Sequence, residues 1–196
     1  DVIREHPDRF TITALACGGK LDALLAQIRE FRPAVAVVAA LQDDAAVGEA
    51  RRTLKVEGIK TELLTGEAAL AEVARTAEYD VMLCAVSGAV GLPPNIEAAK
   101  RGKRIALANK ESLVMAGPIL TKLAEKSGAE LLPVDSEHSG VWQCLRGEKR
   151  DEVLRVTLTA SGGPFRTTPL ERLKDVTPEQ ALKHPTWRMG PKITID

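Results

Sequence analysis

The chain alternates between short apolar runs and longer segments in which apolar residues recur with a helical spacing. Each run is nearly all apolar, as expected for strands that are covered on both faces of a parallel sheet. The candidate strands are residues 11–16, 34–40, 61–64, 80–86, 104–108 and 130–134. Helical segments separate them, as the crossover connections of parallel strands require. The pattern therefore predicts repeated βαβ units.

The segment between the first two candidate strands predicts an amphipathic helix. Its apolar positions, which share one helical face, are Leu21, Leu24, Leu25, Ile28 and Phe31. Pro33 then ends the helix, because proline has no N–H to donate and its ring crowds the preceding turn. The same alternation continues to about residue 134, so we expect a doubly wound α/β domain over residues 1–134.

The pattern changes after Val134. Residues 152–160 and 192–195 are candidate strands, and residues 161–169 form a loop rich in Gly, Pro and Thr. We therefore expect a second domain, the beginning of an α+β domain, over residues 135–196. Residues 1–6 resemble the end of a helix, and no G-x-G-x-x-G turn occurs in the chain, so we expect both ends to be truncated.

Charge and composition narrow the class of partner. The 27 basic residues balance 27 acidic residues without a basic block, so we expect neither nucleic acid nor a membrane surface as a partner. Apolar runs such as residues 34–41 are far shorter than a membrane span, and no cleavable leader opens the chain, which predicts a cytoplasmic protein. Three cysteines without a CxxC spacing argue against disulfides and structural zinc. The expected partner is a small molecule.

Two polar motifs follow candidate strands, where open α/β sheets bind ligands. Asn109, Lys110 and Glu111 place an amide, an ammonium group and a carboxylate at the end of the fifth strand. The alternative is a loop in which Glu111 helps to start a helix from Ser112.

The second motif begins at the end of the sixth strand. Asp135 and Glu137 could converge with another oxygen ligand on a divalent cation. The alternative is a helix N-cap formed by Asp135 or Ser136. We expect His138 to be a packing or hydrogen-bonding residue.

Two later segments contain groups suited to a polar ligand. Residues 159–165 offer a hydroxyl group, that of Ser161, and flexible backbone amides that could hold an anion, or they form a plain turn. Residues 184–190 combine His184, Trp187 and Met189 in a stretch broken by Pro and Gly. This mixture is typical of a loop that covers a ligand, although Trp and Met more often pack in a core.

The end of the first candidate strand bears on the choice of cofactor. Gly18, Gly19 and Lys20 stand where many NAD-binding domains carry an acidic residue that bonds the ribose 2′-hydroxyl. A cation at this place favours NADP over NAD. The alternative is a solvated Lys20 that opens a helix, and Asp22 nearby complicates the argument.

Four segments together resemble the 1-deoxy-D-xylulose 5-phosphate reductoisomerase family. They are LANKESLV at residues 107–114, PVDSEH at 133–138, SGGPF at 161–165 and HPTWRMGPKITID at 184–196. The resemblance covers the whole chain. It implies a Rossmann-like NADPH-binding domain, followed by a catalytic domain that holds Mg²⁺ or Mn²⁺. It also implies a homodimer that converts 1-deoxy-D-xylulose 5-phosphate to 2-C-methyl-D-erythritol 4-phosphate in isoprenoid biosynthesis, in the cytoplasm of bacteria or in a plastid.

The resemblance also implies roles for individual residues. Asp135 and Glu137 match metal ligands, and Lys110 and Glu137 are the expected catalytic residues. The residues that match substrate contacts are Lys110, Ser136, Glu137, Ser161, His184 and Trp187. The residues that match NADPH contacts are Gly18, Gly19, Lys20, Asn109, Glu111, Met189 and Gly190. Trp187 and Met189 match a mobile flap.

Departures from the family pattern qualify this picture. The glycine-rich GSTGSIG-type turn of the family is absent from these residues, and so is the SATMMNKGLE segment that follows the equivalent of Asp196. That segment supplies the third metal ligand in the family. We therefore expect the chain to be an internal piece of a longer enzyme and to be inactive alone. The competing hypotheses are another NADP-dependent oxidoreductase and a non-catalytic nucleotide-binding module.

Overall fold

The computed structural model describes residues 1–40, 43–186, 188, 190, 191 and 194. It contains two compact units, Asp1–Arg146 and Gly147–Asp196. Among the described residues, no helix is both long and apolar enough to cross a lipid bilayer.

The first unit contains the six strands that the sequence predicts, each four residues long. They are β1 (Ala14–Cys17), β2 (Val35–Val38), β3 (Glu62–Thr65), β4 (Val81–Cys84), β5 (Arg104–Leu107) and β6 (Glu130–Pro133). All pairs are parallel, and the strands form two sheets with the orders β1-β2-β3 and β4-β5-β6. The α/β class with parallel sheets is therefore confirmed.

Helices alternate with these strands throughout the first unit. They are α1 (Val2–Glu5), α2 (Leu21–Phe31), α3 (Asp44–Val56), α4 (Ala68–Thr76), α5 (Leu92–Lys100), α6 (Glu111–Ser127) and α7 (Ser136–Leu145). The helix predicted from the apolar stripe is α2, and its Leu24 and Ile28 are buried. It ends at Arg32, which adopts a left-handed conformation (φ 51°) and donates its N–H to the Ile28 carbonyl directly before Pro33.

The core is aliphatic and divides between the two sheets. In the first, α2 and α3 pack against the Ala36 and Val38 face of β2. In the second, Ala98 and Ala99 of α5 and Leu120 of α6 pack on β4 and β5. Coverage of the second sheet is incomplete, because Val81 and Leu83 of β4 are 46 % and 64 % exposed. The expectation that every strand is buried on both faces is therefore wrong for β4: its outward face has no helix against it among the described residues.

Helix α6 is bent close to the site described below. Ala116 departs from helical geometry (φ −145°), and Pro118 lies two residues later. Proline cannot donate to the preceding turn, which accounts for the kink. The kink at Ala116 therefore divides α6 into a short first segment, which begins at Glu111, and a longer second segment.

The second unit has little regular structure. It contains 3₁₀ turns at Arg150–Glu152 and Leu170–Asp175 and a short helix, α8 (Pro178–Ala181), which Thr177 and Gln180 cap reciprocally. The predicted strand at residues 152–160 is wrong, since residues 153–160 have no regular secondary structure and Leu154 is 99 % exposed. A strand needs a partner for its backbone groups, and the described residues provide none. Of the predicted strand at 192–195, all residues except Thr194 lie outside the described residues.

Candidate functional site

The carboxyl ends of β4, β5 and β6 lie at one edge of the second sheet. The segments that follow them are residues 86–91, 109–111 and 135–138. Backbone bonds join these ends: the Asn109 N–H donates to the Cys84 carbonyl at 3.0 Å, and the Val134 N–H donates to the Leu107 carbonyl at 3.0 Å. The two motifs singled out in the sequence therefore meet.

Three side chains from these segments form a charged cluster, defined as Lys110, Asp135 and His138. Lys110 Nζ lies 3.3 Å from Asp135 Oδ2, and His138 Nδ1 lies 2.9 Å from Asp135 Oδ1. A carboxylate only accepts hydrogen bonds, so His138 Nδ1 carries the donated hydrogen. Asp135 is 14 % exposed, whereas Lys110 and His138 are 43 % and 49 % exposed. The expectation of a hydrogen-bonding role for His138 is confirmed.

The cluster fixes the ionisation of Asp135. Partial burial raises the pKa of this carboxyl group, but the hydrogen bonds from Lys110 and His138 outweigh burial and hold the pKa below its ordinary value. Asp135 occupies the N-cap position of α7, yet its side chain accepts no capping bond from the helix. The carboxylate is thus turned toward Lys110 and His138 rather than toward the helix backbone.

Ser136 and Glu137 open α7 and are exposed beside Asp135. Among the described residues, no group of three or more His, Cys, Asp or Glu side chains is placed to hold a metal ion. The two carboxylates nevertheless suit a hard cation, because Mg²⁺ is often held by one or two carboxylates together with water and substrate oxygens. The donor chemistry of Asp135 and Glu137 therefore fits a divalent cation.

A cavity of about 230 Å³ adjoins the charged cluster. Its wall combines leucines of β5, β6 and α6 with Pro133, Lys110 and His138. Apolar walls lower the local dielectric, which strengthens any interaction made by the Lys110 ammonium group. The cavity and the charged cluster together can hold a small polar molecule against an apolar surface.

Asn109, which precedes Lys110, is buried with only 1 % of its surface exposed. Its Nδ2 donates to the Val86 carbonyl at 2.7 Å, the Gly88 carbonyl at 3.0 Å and Glu111 Oε2 at 3.0 Å. The amide thus links the segment after β4 to the first turn of α6. Glu111 is the first residue of α6, so a helix does begin at this motif, as in the alternative interpretation, although it begins at residue 111 rather than at Ser112.

Sequence reasoning missed two buried residues behind Asn109. Ser112 Oγ donates to Asn109 Oδ1, and Asn95 Nδ2 donates to Ser112 Oγ at 3.0 Å. Asn95, Asn109 and Ser112 are called the amide cluster below. A polar Asn95 among the buried positions of α5, beside Ala98 and Ala99, is the signal that could have revealed it.

Gly18, Gly19 and Lys20 follow β1 of the first sheet. A Cβ on either glycine would meet no atom within 4 Å, so the backbone there is open to a ligand. Lys20 is exposed at the N-cap position of α2, and no side chain caps that helix. An exposed ammonium group at a helix N-terminus, beside open backbone, is suited to bind a phosphate group.

In the second unit, Ser161 and His184 come together. Ser161 Oγ lies 3.1 Å from His184 Nε2, and it accepts the Gly163 N–H at 3.2 Å. The Thr186 N–H donates to His184 Nδ1 at 3.1 Å, so in the neutral ring Nε2 carries the hydrogen and donates to Ser161. The pair places a hydroxyl group and an imidazole ring side by side, which suits the binding of polar groups.

Two of the expected contacts, Trp187 and Met189, lie outside the described residues. Gly190 is described, and its carbonyl accepts the Thr194 N–H at 3.1 Å.

Comparison with known proteins places this geometry in context. Residues 1–117 match the family model described as 1-deoxy-D-xylulose 5-phosphate reductoisomerase, and residues 131–196 match the model of its C-terminal domain. The chain belongs to the 1-deoxy-D-xylulose 5-phosphate reductoisomerase family. The reductoisomerases of Prosthecochloris aestuarii and Chlorobaculum tepidum are 50 % and 51 % identical to the whole chain. The chain spans about half the length of these curated relatives.

Solved reductoisomerase structures share the fold. One, a complex with NADPH, fosmidomycin and magnesium, is 36 % identical with a TM-score of 0.83, and the match covers 100 % of this chain and 49 % of that one. The enzyme from Zymomonas mobilis in complex with NADPH is 38 % identical with a TM-score of 0.84, covering 94 % of this chain and 47 % of its own.

Proposed function

We propose that this chain supplies the cofactor-binding and metal-binding part of an NADPH-dependent 1-deoxy-D-xylulose 5-phosphate reductoisomerase. The enzyme converts this ketose phosphate to 2-C-methyl-D-erythritol 4-phosphate. The observation that carries the proposal is the charged cluster, where Lys110 meets Asp135 at 3.3 Å beside the exposed Glu137. Whole-chain identity of about 50 % to reductoisomerases, and NADPH and magnesium in solved relatives, support it.

The charged residues have distinct tasks in this proposal. Asp135 and Glu137 would hold a divalent cation, Mg²⁺ or Mn²⁺, which supplies a Lewis acid and a template for the substrate oxygens when bound. Lys110 stabilises negative charge on the rearranging substrate oxygens from a half-exposed position next to Asp135. His138 holds the Asp135 carboxylate through Oδ1, the oxygen that Lys110 does not contact. Glu137 and Lys110 are the proposed catalytic residues.

The remaining residues bind the substrate and the cofactor. Ser136 and Ser161 offer hydroxyl hydrogens to substrate oxygens, and His184 would contact the substrate beside Ser161, whose hydroxyl oxygen it holds through Nε2. NADPH would supply the hydride that reduces the rearranged aldehyde. Lys20, with Gly18 and Gly19, would bind the ribose phosphate, while Glu111 and the backbone of Asn109 face the cofactor at the carboxyl edge of the second sheet. The predicted contacts at Trp187, Met189 and Gly190 stay predictions.

Three further features belong to the proposal. A domain boundary at residues 134 and 135 is supported by the second family model, which starts at residue 131, although α7 packs within the first compact unit. Homodimer formation follows from the family resemblance. A cytoplasmic location is supported by bacterial relatives.

An assay of the full-length protein tests the function. NADPH oxidation should require both 1-deoxy-D-xylulose 5-phosphate and Mg²⁺ or Mn²⁺, and kcat/KM should be higher with NADPH than with NADH. Lys20→Ala should narrow that preference, because the cation that binds the extra phosphate is lost. Turnover in the presence of a chelator, or equal kcat/KM for the two cofactors, would show that the assignment is wrong.

A further inference from the structure

The amide cluster has a fixed hydrogen-bond direction. Asn109 faces two carbonyl oxygens and a carboxylate oxygen with one end of its amide, so that end must be the NH₂ group. Its other end, Oδ1, is an acceptor, and Ser112 must donate to it. The Ser112 oxygen can then accept only from a donor, which is Asn95 Nδ2. The carbonyls of Val86 and Gly88 therefore set the orientation of all three side chains.

Burial of the polar amide cluster costs folding free energy, which indicates that its side chains have a role besides packing. Asn95 and Ser112 are fully buried, and no nitrogen or oxygen donor reaches Asn95 Oδ1 among the described residues. Burying a polar atom without a partner destabilises a fold, and an apolar side chain of similar size would avoid that penalty. Asn95 contributes the hydrogen bond that it gives to Ser112, and its amide also interacts with the buried Cys84 thiol.

Close packing leaves Asn109 little freedom to adopt another orientation. A Cβ placed on Gly91 would lie 2.4 Å from Asn109 Oδ1 and 2.5 Å from Cγ. Gly91 thus makes room for the amide, and Ser112 supports the same orientation by donating to Oδ1, the end that does not face the β4–α5 segment, residues 86–91. Among the described residues, the acceptors of Asn109 Nδ2 belong either to that segment or to Glu111.

We propose that Asn95 and Ser112 are positioning residues for cofactor binding: through Asn109 they hold residues 86–91 and Glu111 in the arrangement that receives NADPH. Both residues are fully buried, so they would act through Asn109 rather than by contact with the cofactor. The inference rests on the proposed function for the identity of the cofactor. It assigns the Asn109 side chain a role inside the protein, while the backbone of Asn109 stays the proposed NADPH contact.

The test uses the full-length protein and three variants. Ser112→Ala removes the donor to Asn109 and the acceptor for Asn95. Asn95→Leu/Ser112→Ala removes the same donor but leaves no orphaned Asn95, so its stability should exceed that of the single variant. Ser127→Ala is the matched control: Ser127 lies at the other end of α6, where its Oγ donates to the Ala99 carbonyl at 2.5 Å.

Two measurements separate positioning from general stability. Hydrogen exchange of the cofactor-free protein should be faster at residues 86–91 in Ser112→Ala and in the double variant, but not in Ser127→Ala. NADPH affinity should fall about tenfold in the first two, with a rise in KM for NADPH that exceeds any change in kcat. In the double variant this loss should persist although stability recovers.

Each outcome gives a decision. If NADPH affinity recovers with stability in the double variant, or if Ser127→Ala weakens binding equally, the positioning role is wrong. If wild-type protein does not bind NADPH, the proposed function fails, and the exchange rates at residues 86–91 still decide whether the amide cluster holds that segment. If Ser112→Ala does not fold, the double variant is compared in its place with the wild type and with Ser127→Ala.

Discussion

The charged cluster and the amide cluster start from the same turn after β5 but differ in nearly every physical property. Lys110 and His138 are about half exposed, and their partner Asp135 is ionised. Asn95, Asn109 and Ser112 are neutral and at most 1 % exposed. Exposed charges can exchange a protein partner for a ligand at small cost, whereas a buried polar group that loses its partner is strongly destabilising. We therefore assign catalysis and metal binding to the charged cluster, and the positioning of residues 86–91 and Glu111 to the amide cluster.

The largest effect should come from removing the charge at the centre of the charged cluster. Asp135→Asn in the full-length protein should lower kcat/KM about 100-fold or more and weaken Mn²⁺ binding, because a carboxylate ligand and the partner of Lys110 are both lost. The free energy of unfolding should change little, since the ion pairs of Asp135 involve half-exposed partners.

Steady-state kinetics and Mn²⁺ titration measure this effect. The control is Asp175→Asn, an exposed aspartate of the second unit that belongs to no candidate site. Wild-type activity and metal affinity in Asp135→Asn would remove the functional distinction between the two clusters.

A smaller effect is expected from crowding the amide cluster. Gly91→Ala should lower the free energy of unfolding by about 1–3 kcal/mol, because the new methyl group must displace the Asn109 amide. Gly48→Ala in α3 is the control: its Cβ would make only ordinary contact, 3.8 Å from the Arg52 side chain. It should stabilise the helix by up to about 1 kcal/mol.

Urea denaturation of both glycine variants measures the difference. If the Gly91→Ala protein is as stable as the Gly48→Ala protein, the Asn109 amide has room to move. The amide cluster would then not be more rigid than the charged cluster.

The smallest effect should come from an ion pair that is remote from both clusters. Arg29 holds Glu57 by bonds of 2.8–3.1 Å, and these lower the pKa of the Glu57 carboxyl group. A depressed pKa stabilises the fold above the carboxyl group's unfolded pKa, and the contribution disappears as pH falls through the folded value. Glu57→Gln should therefore be slightly less stable than wild type at pH 7 and equally stable near pH 3.

Denaturation curves at the two pH values test this prediction. A difference that grows on acidification would reverse the expected sign, and added salt should reduce the difference at pH 7.

Local periodicity was enough to predict the six strands and α2, because each pattern can be recognised within one short segment. The prediction of a strand at residues 152–160 was wrong, because the pattern within a segment cannot show whether another strand is available to pair with it. The resemblance proposed roles for Lys110 and Asp135 but not their direct ion pair. Asn95 was missed because its partner Ser112 lies 17 residues away, on another helix.

The aliphatic interior also means that no aromatic residue is among the buried core residues described in the first unit. Trp142 lies on the surface of α7 with the Arg146 guanidinium 5.0 Å from its ring, so its emission reports local solvent rather than the core. Tyr79, the single tyrosine, is half-buried, donates to the Ala74 carbonyl at 2.6 Å and carries Arg101 over its ring. Tyrosine absorbance or near-ultraviolet dichroism should therefore follow the junction of α4, β4 and α5, while the emission of Trp142 can stay constant as the leucine and valine core unfolds.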